Sequence, residues 1–127
     1  MENMLTVLVV DDSKLAQLML RKAITSFAPG YNIIMAKDGE EAFDLYQKNT
    51  PDIAMIDYNM PGINGIELIQ KLRTIDKEMP IALCTANIQT TIQNKAKNLN
   101  VAFIAKPVTN ETVAQFLEKN RKTVLEH

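Results

Sequence analysis

Five short apolar runs, each ending at a polar residue and each followed by a segment of helical period, constrain this chain more than any other feature. Residues 5–10 are apolar and rich in β-branched side chains, and read as a buried strand. Asp11, Asp12 and Ser13 end it and can cap a helix. Over residues 14–28, Ala16, Met19, Leu20, Ala23, Ile24 and Phe27 fall on one helical face, which Pro29-Gly30 stops. Residues 31–36 read as a second strand. Asp38-Gly39-Glu40-Glu41 then opens a helix carrying Ala42, Phe43, Leu45 and Tyr46, broken by Thr50-Pro51-Asp52. Residues 53–56 form a third strand ending at Asp57, and the loop 58–65 leads to a helix with Ile66, Leu68, Ile69 and Leu72. Residues 80–84 form a fourth strand ending at Thr85. The polar helix predicted at 88–99 has a narrow stripe of Ile88, Ile92, Ala96 and Leu99. Residues 101–105 form a fifth strand ending at Lys106-Pro107. A last helix, from about Asn110, turns Val113, Phe116, Leu117 and Val124 inward.

The pattern is (βα)5. Strands that are continuously apolar and alternate with helices imply an α/β, doubly wound parallel sheet covered on both faces. The 127 residues suit one domain, 1–127, and 46% hydrophobic against 23% charged residues favours a packed core over disorder. A net charge of -1 gives no reason to expect nucleic acid or a membrane as a partner. The one cysteine, Cys84, excludes an internal disulfide and a multi-cysteine metal site. The one histidine, His127, is the last residue, which argues against Ser-His-Asp or Cys-His catalysis. Residues 125–127 also match the start of a purification tag. With no basic leader or long apolar stretch, a cytoplasmic domain is expected.

In open α/β sheets, ligands bind outside the carboxyl ends of the strands. Asp11 and Asp12, Asp57, Thr85 and Lys106 all fall there. Taken singly, Asp12 or Ser13 is a helix N-cap, Asp57 a turn residue, Thr85 a strand-end hydroxyl and Lys106 a solvated charge. Their shared position weakens those readings together. Clustered carboxylates repel unless a cation sits among them, and hard oxygen donors of this kind suit Mg2+. With the ion present, Asp57 on the central strand can act as a nucleophile toward a phosphoryl group. Lys106 and Thr85 would then contact the phosphoryl oxygens.

Asp11-Asp12, Asp57-Tyr58-Asn59-Met60-Pro61-Gly62, Thr85-Ala86 and Lys106-Pro107 together resemble the receiver domain of bacterial response regulators, the CheY-like family, over about residues 5–124. The resemblance implies flavodoxin-like strand order 2-1-3-4-5 and a Mg2+ cofactor. In its terms Asp57 is the phosphoacceptor, Asp12 ligates the metal directly, Asp11 does so largely through water, and the Asn59 backbone carbonyl is a further ligand. It also implies a cis Lys106-Pro107 bond, with Phe103 as the switch aromatic beside Thr85. The donor would be a histidine kinase or a histidine phosphotransfer protein, and the target a downstream protein. The product would be a switched helix 4–strand 5–helix 5 surface rather than enzymatic turnover. Leu18, opposite the buried stripe of the first helix, and Leu15, on its flank, are candidate donor-docking residues. Two departures stand out. Leu99-Asn100 replaces the usual Gly-Ala before strand five, with Asn98 or Asn100 available for a left-handed turn. Ile63-Asn64-Gly65 lacks the common Asp. Asn59 and Asn87 lie at positions that tune acyl-phosphate hydrolysis in the family.

Two rival classes fit less well. A haloacid-dehalogenase-type phosphatase wants Asp-x-Asp after its first strand, where this chain has adjacent Asp11-Asp12. A flavodoxin-type carrier wants a glycine- and hydroxyl-rich phosphate loop there, and Asp11-Asp12-Ser13-Lys14 carries the wrong charge.

Overall fold

The β-branched and apolar runs form strands β1 (Thr6–Val10), β2 (Asn32–Ala36), β3 (Ile53–Asp57), β4 (Ile81–Thr85) and β5 (Ala102–Ala105). The segments between and after them form helices α1 (Lys14–Phe27), α2 (Gly39–Asn49), α3 (Gly65–Arg73), α4 (Thr90–Asn98) and α5 (Asn110–Leu125). The structure is a computed structural model. It describes residues 5–125, with side chains as far as Arg121, so the expectations for Val124 and for a tag at 125–127 lie outside the described side chains.

All pairings are parallel, in the order β2-β1-β3-β4-β5. Alternation along each strand divides the core in two. Leu8, Val10, Ala54, Ile56, Ile81 and Leu83 face α2, α3 and α4, packing with Ala42, Leu68, Leu72, Ile92 and Ala96. Val7, Val9, Ile53, Met55, Ala82 and Cys84 face the other way, onto Leu20 and Ile24 of α1 and Val113 and Leu117 of α5. Successive side chains point to opposite faces, so a strand buried on both sides must be apolar throughout. β3 and β4 are buried at every residue and apolar up to their last, Asp57 and Thr85, while the edge strands β2 and β5 are only partly covered.

Polar residues set the helix starts. The Ser13 hydroxyl accepts the Ala16 N–H and the Asp38 carboxylate accepts the Glu41 N–H. Asn64 and Glu67 form a reciprocal capping box at α3. Asn100, with φ 58°, supplies the left-handed turn before β5.

Two expectations need correction. Met19 is 53% exposed rather than inward: the stripe on the sheet is Leu20, Ala23 and Ile24, and Met19 instead lines a shallow groove with Pro107 and Val108. Ile88 is 63% exposed and precedes α4, which begins at Thr90, so the α4 stripe is narrower than expected. No helix among the described residues is long and apolar enough to cross a membrane.

Candidate functional site

The parallel order brings the carboxyl ends of β1, β3, β4 and β5 side by side. Register pairs Val10 with Ile56, Asp57 with Cys84 and Thr85 with Ala105. Asp11 and Asp12 follow β1 directly, Asp57 and Thr85 end their strands, and Lys106 follows β5. Each of these side chains therefore sits at the carboxyl end of its strand.

Carboxylate oxygens of Asp11, Asp12 and Asp57 lie within 4.8 Å of one another. The Lys106 Nζ reaches both neighbours, 2.8 Å from Asp57 Oδ1 and 3.2 Å from Asp11 Oδ2. One ammonium against three carboxylates leaves the cluster negative. Asp57 is 6% exposed. Its burial, with the charges of Asp11 and Asp12, raises its pKa above the ordinary carboxylate value, against the opposing pull of Lys106. For Lys106, burial alone would lower the pKa, but the Asp57 hydrogen bond and the two carboxylate charges outweigh it and raise it.

Asp11 is immobilised from every side. Its N–H donates to the Ala36 carbonyl at 3.0 Å. Its Oδ1 accepts the Ser13 N–H at 2.9 Å, and its own carbonyl accepts the Gln17 side-chain amide at 2.7 Å. Asp12 is exposed and does not cap α1, since Ser13 does. Its carboxylate is thus free for another partner.

The buried Thr85 Oγ1 accepts the Asn87 N–H at 2.9 Å, which leaves its hydroxyl proton available to donate. Cys84, beside Asp57 in register, has its thiol pKa pushed up to about 12 by burial, so it offers neither nucleophile nor metal ligand near neutral pH. Asn59 lies in the exposed loop after Asp57. Phe103 is half-buried on edge strand β5, against the α2–α4 side of the core. The Lys106-Pro107 bond is cis. Leu15 and Leu18 are 68% and 62% exposed on α1.

Two contributors were not legible in the sequence. A Cβ on Gly65 would lie 2.5 Å from the Asp57 carbonyl oxygen and 2.9 Å from Tyr58 Cα, so only glycine lets α3 start against the end of β3. Gln17, an ordinary helix residue by pattern, reaches back to the Asp11 carbonyl. A glycine before a helix was a weak signal for the first; nothing marked the second.

The donor set tests which metal would fit. Three carboxylate oxygens converge, and neither imidazole nor thiolate joins them among the described residues. Such hard, incomplete oxygen coordination matches Mg2+, which keeps several waters, and suits soft metals poorly.

Comparison with known proteins agrees in extent and in fold. The family model of the response regulator receiver domain matches residues 7–118. The chain is 35% identical over 120 residues to the protein CcdB of Bacillus subtilis, covering 91% of this chain and 97% of that protein. It is 35% identical over 118 residues to the chemotaxis protein CheY of Thermotoga maritima, with coverage of 91% and 97%. The crystallised chemotaxis protein CheY4 of Vibrio cholerae superposes with a TM-score of 0.83 at 29% identity, covering 91% of this chain and 98% of that one. The chain spans only 34% of the response regulator MprA of Mycobacterium, and 13% of the sensor histidine kinase RcsC of Salmonella typhimurium.

Proposed function

The chain belongs to the response regulator receiver domain family of two-component signalling, and from that premise we propose that it is a switch set by phosphorylation of Asp57. The observation that carries this reading is the constellation at one sheet edge: Asp57 in contact with Lys106 at 2.8 Å, with oxygens of Asp11 and Asp12 within 4.8 Å.

Asp57 attacks the phosphorus of a phosphohistidine on a sensor kinase or a phosphotransfer protein. An O–P bond forms as the P–N bond breaks; the electron pair stays on the donor's ring nitrogen, which takes a proton from solvent as the imidazole leaves. Asp11, Asp12, Asp57 and the Asn59 carbonyl would hold Mg2+. When bound, that ion would neutralise charge on the phosphoryl oxygens. Lys106 exchanges its contact with Asp57 for one with a phosphoryl oxygen. Thr85 donates its free hydroxyl proton to another.

The new group brings roughly one to two negative charges and strong acceptors to a buried position. Thr85 shifts toward it, and Phe103 of β5 turns into the space that Thr85 vacates at the end of β4. The surface of α4, β5 and α5 changes, and a downstream protein that prefers that surface selects the state. Leu15 and Leu18 of α1 present exposed apolar side chains beside the acidic cluster and dock the donor; a Leu18→Asp variant that accepted phosphate at the unchanged rate would remove them from this role.

Incubation with Mg2+ and acetyl phosphate or a phosphoramidate tests the central reading. Intact mass should rise by one phosphoryl group, and Asp57→Asn should show no gain. A wild-type mass that stays constant would defeat the proposal.

A further inference from the structure

Asp11 and Asp12 are joined by a single peptide whose orientation decides where the Asp12 carboxylate can point. The N–H of Asp11 is fixed by Ala36, and both its carboxylate oxygens are engaged, by Ser13 and Lys106. The Asp11 carbonyl, which belongs to the peptide shared with Asp12, is engaged by the Gln17 carboxamide at 2.7 Å. The same nitrogen also approaches the Ala36 carbonyl at 3.4 Å. Both partners are acceptors, so it is the amide NH2 that faces them. Gln17 is itself anchored in the first turns of α1, where its N–H donates to the Ser13 carbonyl at 3.0 Å. Asp12 has no comparable restraint on its own side chain: it is exposed, and Ser13 has taken the capping role.

We propose that Gln17 is a positioning residue for the metal site, holding the Asp11–Asp12 peptide plane so that the Asp12 carboxylate faces Asp57. This rests on the reading of the acidic cluster as a Mg2+ site. It assigns a role to a helix residue that contacts neither metal nor phosphate. Without the amide, the peptide rotates more freely and Asp12 must be ordered when the ion binds, so affinity falls. Residues that orient metal ligands typically change affinity by about 10–100-fold, and a single amide on an already crowded loop belongs at the low end of that range.

The test is Gln17→Met, which keeps length and helix propensity but removes the donor. Mg2+ binding is followed by titrating amide chemical shifts, beside Asp12→Ala. The Mg2+ dissociation constant of Gln17→Met should rise about tenfold. Its urea midpoint without Mg2+ should fall by no more than the loss of one part-buried hydrogen bond, and its rate of phosphorylation by acetyl phosphate should recover at saturating Mg2+. If Asp12→Ala loses Mg2+ binding while Gln17→Met binds like the native protein, the positioning role is wrong and the metal site stands. If Asp12→Ala also binds like the native protein, the metal-site reading itself fails. A Gln17→Met rate that stays low at saturating Mg2+ overturns the positioning role as well, since the defect would then lie beyond affinity.

Discussion

At the scale of single residues, the acidic cluster sets function against stability. Burial raises the Asp57 pKa above its ordinary 3.8, with the charges of Asp11 and Asp12 adding to the effect and Lys106 opposing it. A carboxylate whose folded-state pKa is raised costs stability once it is ionised. The folded state loses ground as pH climbs from the ordinary value through the raised one. Asp57→Asn should therefore raise the thermal midpoint of the Mg2+-free protein at pH 7. The gain should shrink toward zero as pH falls below 3.8, where both forms are neutral. Thermal unfolding followed by circular dichroism across that range would check the direction. The positions of Asp11, Asp57, Thr85 and Lys106 could be read in advance because each terminates an apolar run. The grip of Gln17 on the Asp11 carbonyl could not, because a glutamine in a helix has no pattern that tells a solvated amide from a bonded one.

At the scale of elements, α4 is held at one end and loose at the other. Its N-terminal Gln89 makes no side-chain cap bond, and the three preceding loop residues are mostly exposed. Its C-terminal end is gripped by Arg73 of α3, which donates to the carbonyls of Leu99 and Asn100 and also to those of Asp76 and Met79. Asp76 is in turn held by the Tyr46 hydroxyl of α2 at 2.8 Å. Arg73→Lys keeps the charge but cannot span four carbonyls, and should cost about 2 kcal/mol in urea unfolding at pH 7. Gln89→Ser should act in the opposite sense. It supplies the missing cap, should add roughly 0.5–1 kcal/mol, and should slow amide exchange in the first turn of α4. Helix existence was legible from period alone. The exposure of Met19 and Ile88 was not, because a side chain at the edge of a stripe is buried only if another element arrives to cover it.

At the scale of the whole molecule, helices on both faces of a parallel sheet leave the carboxyl ends of the strands open, and the charges gather there. Mg2+ that binds the folded chain must stabilise it by mass action. The thermal midpoint should rise steadily with the logarithm of Mg2+ concentration above the dissociation constant, and Asp12→Ala should flatten that rise. Scanning calorimetry at several Mg2+ concentrations measures both. By itself the sequence determined the alternation of five strands and five helices, the parallel sheet, and the set of polar residues at the strand ends. Those follow from side-chain periodicity and chain breaks, which are local. Only the tertiary structure decided that α1 and α5 share one face and α2 to α4 the other, that Lys106 reaches Asp11 and Asp57 together, and that Gln17 and Arg73 spend their amide and guanidinium hydrogens on carbonyls. Contacts across tens of residues depend on where the sheet puts each strand end, and no nearest-neighbour pattern encodes that.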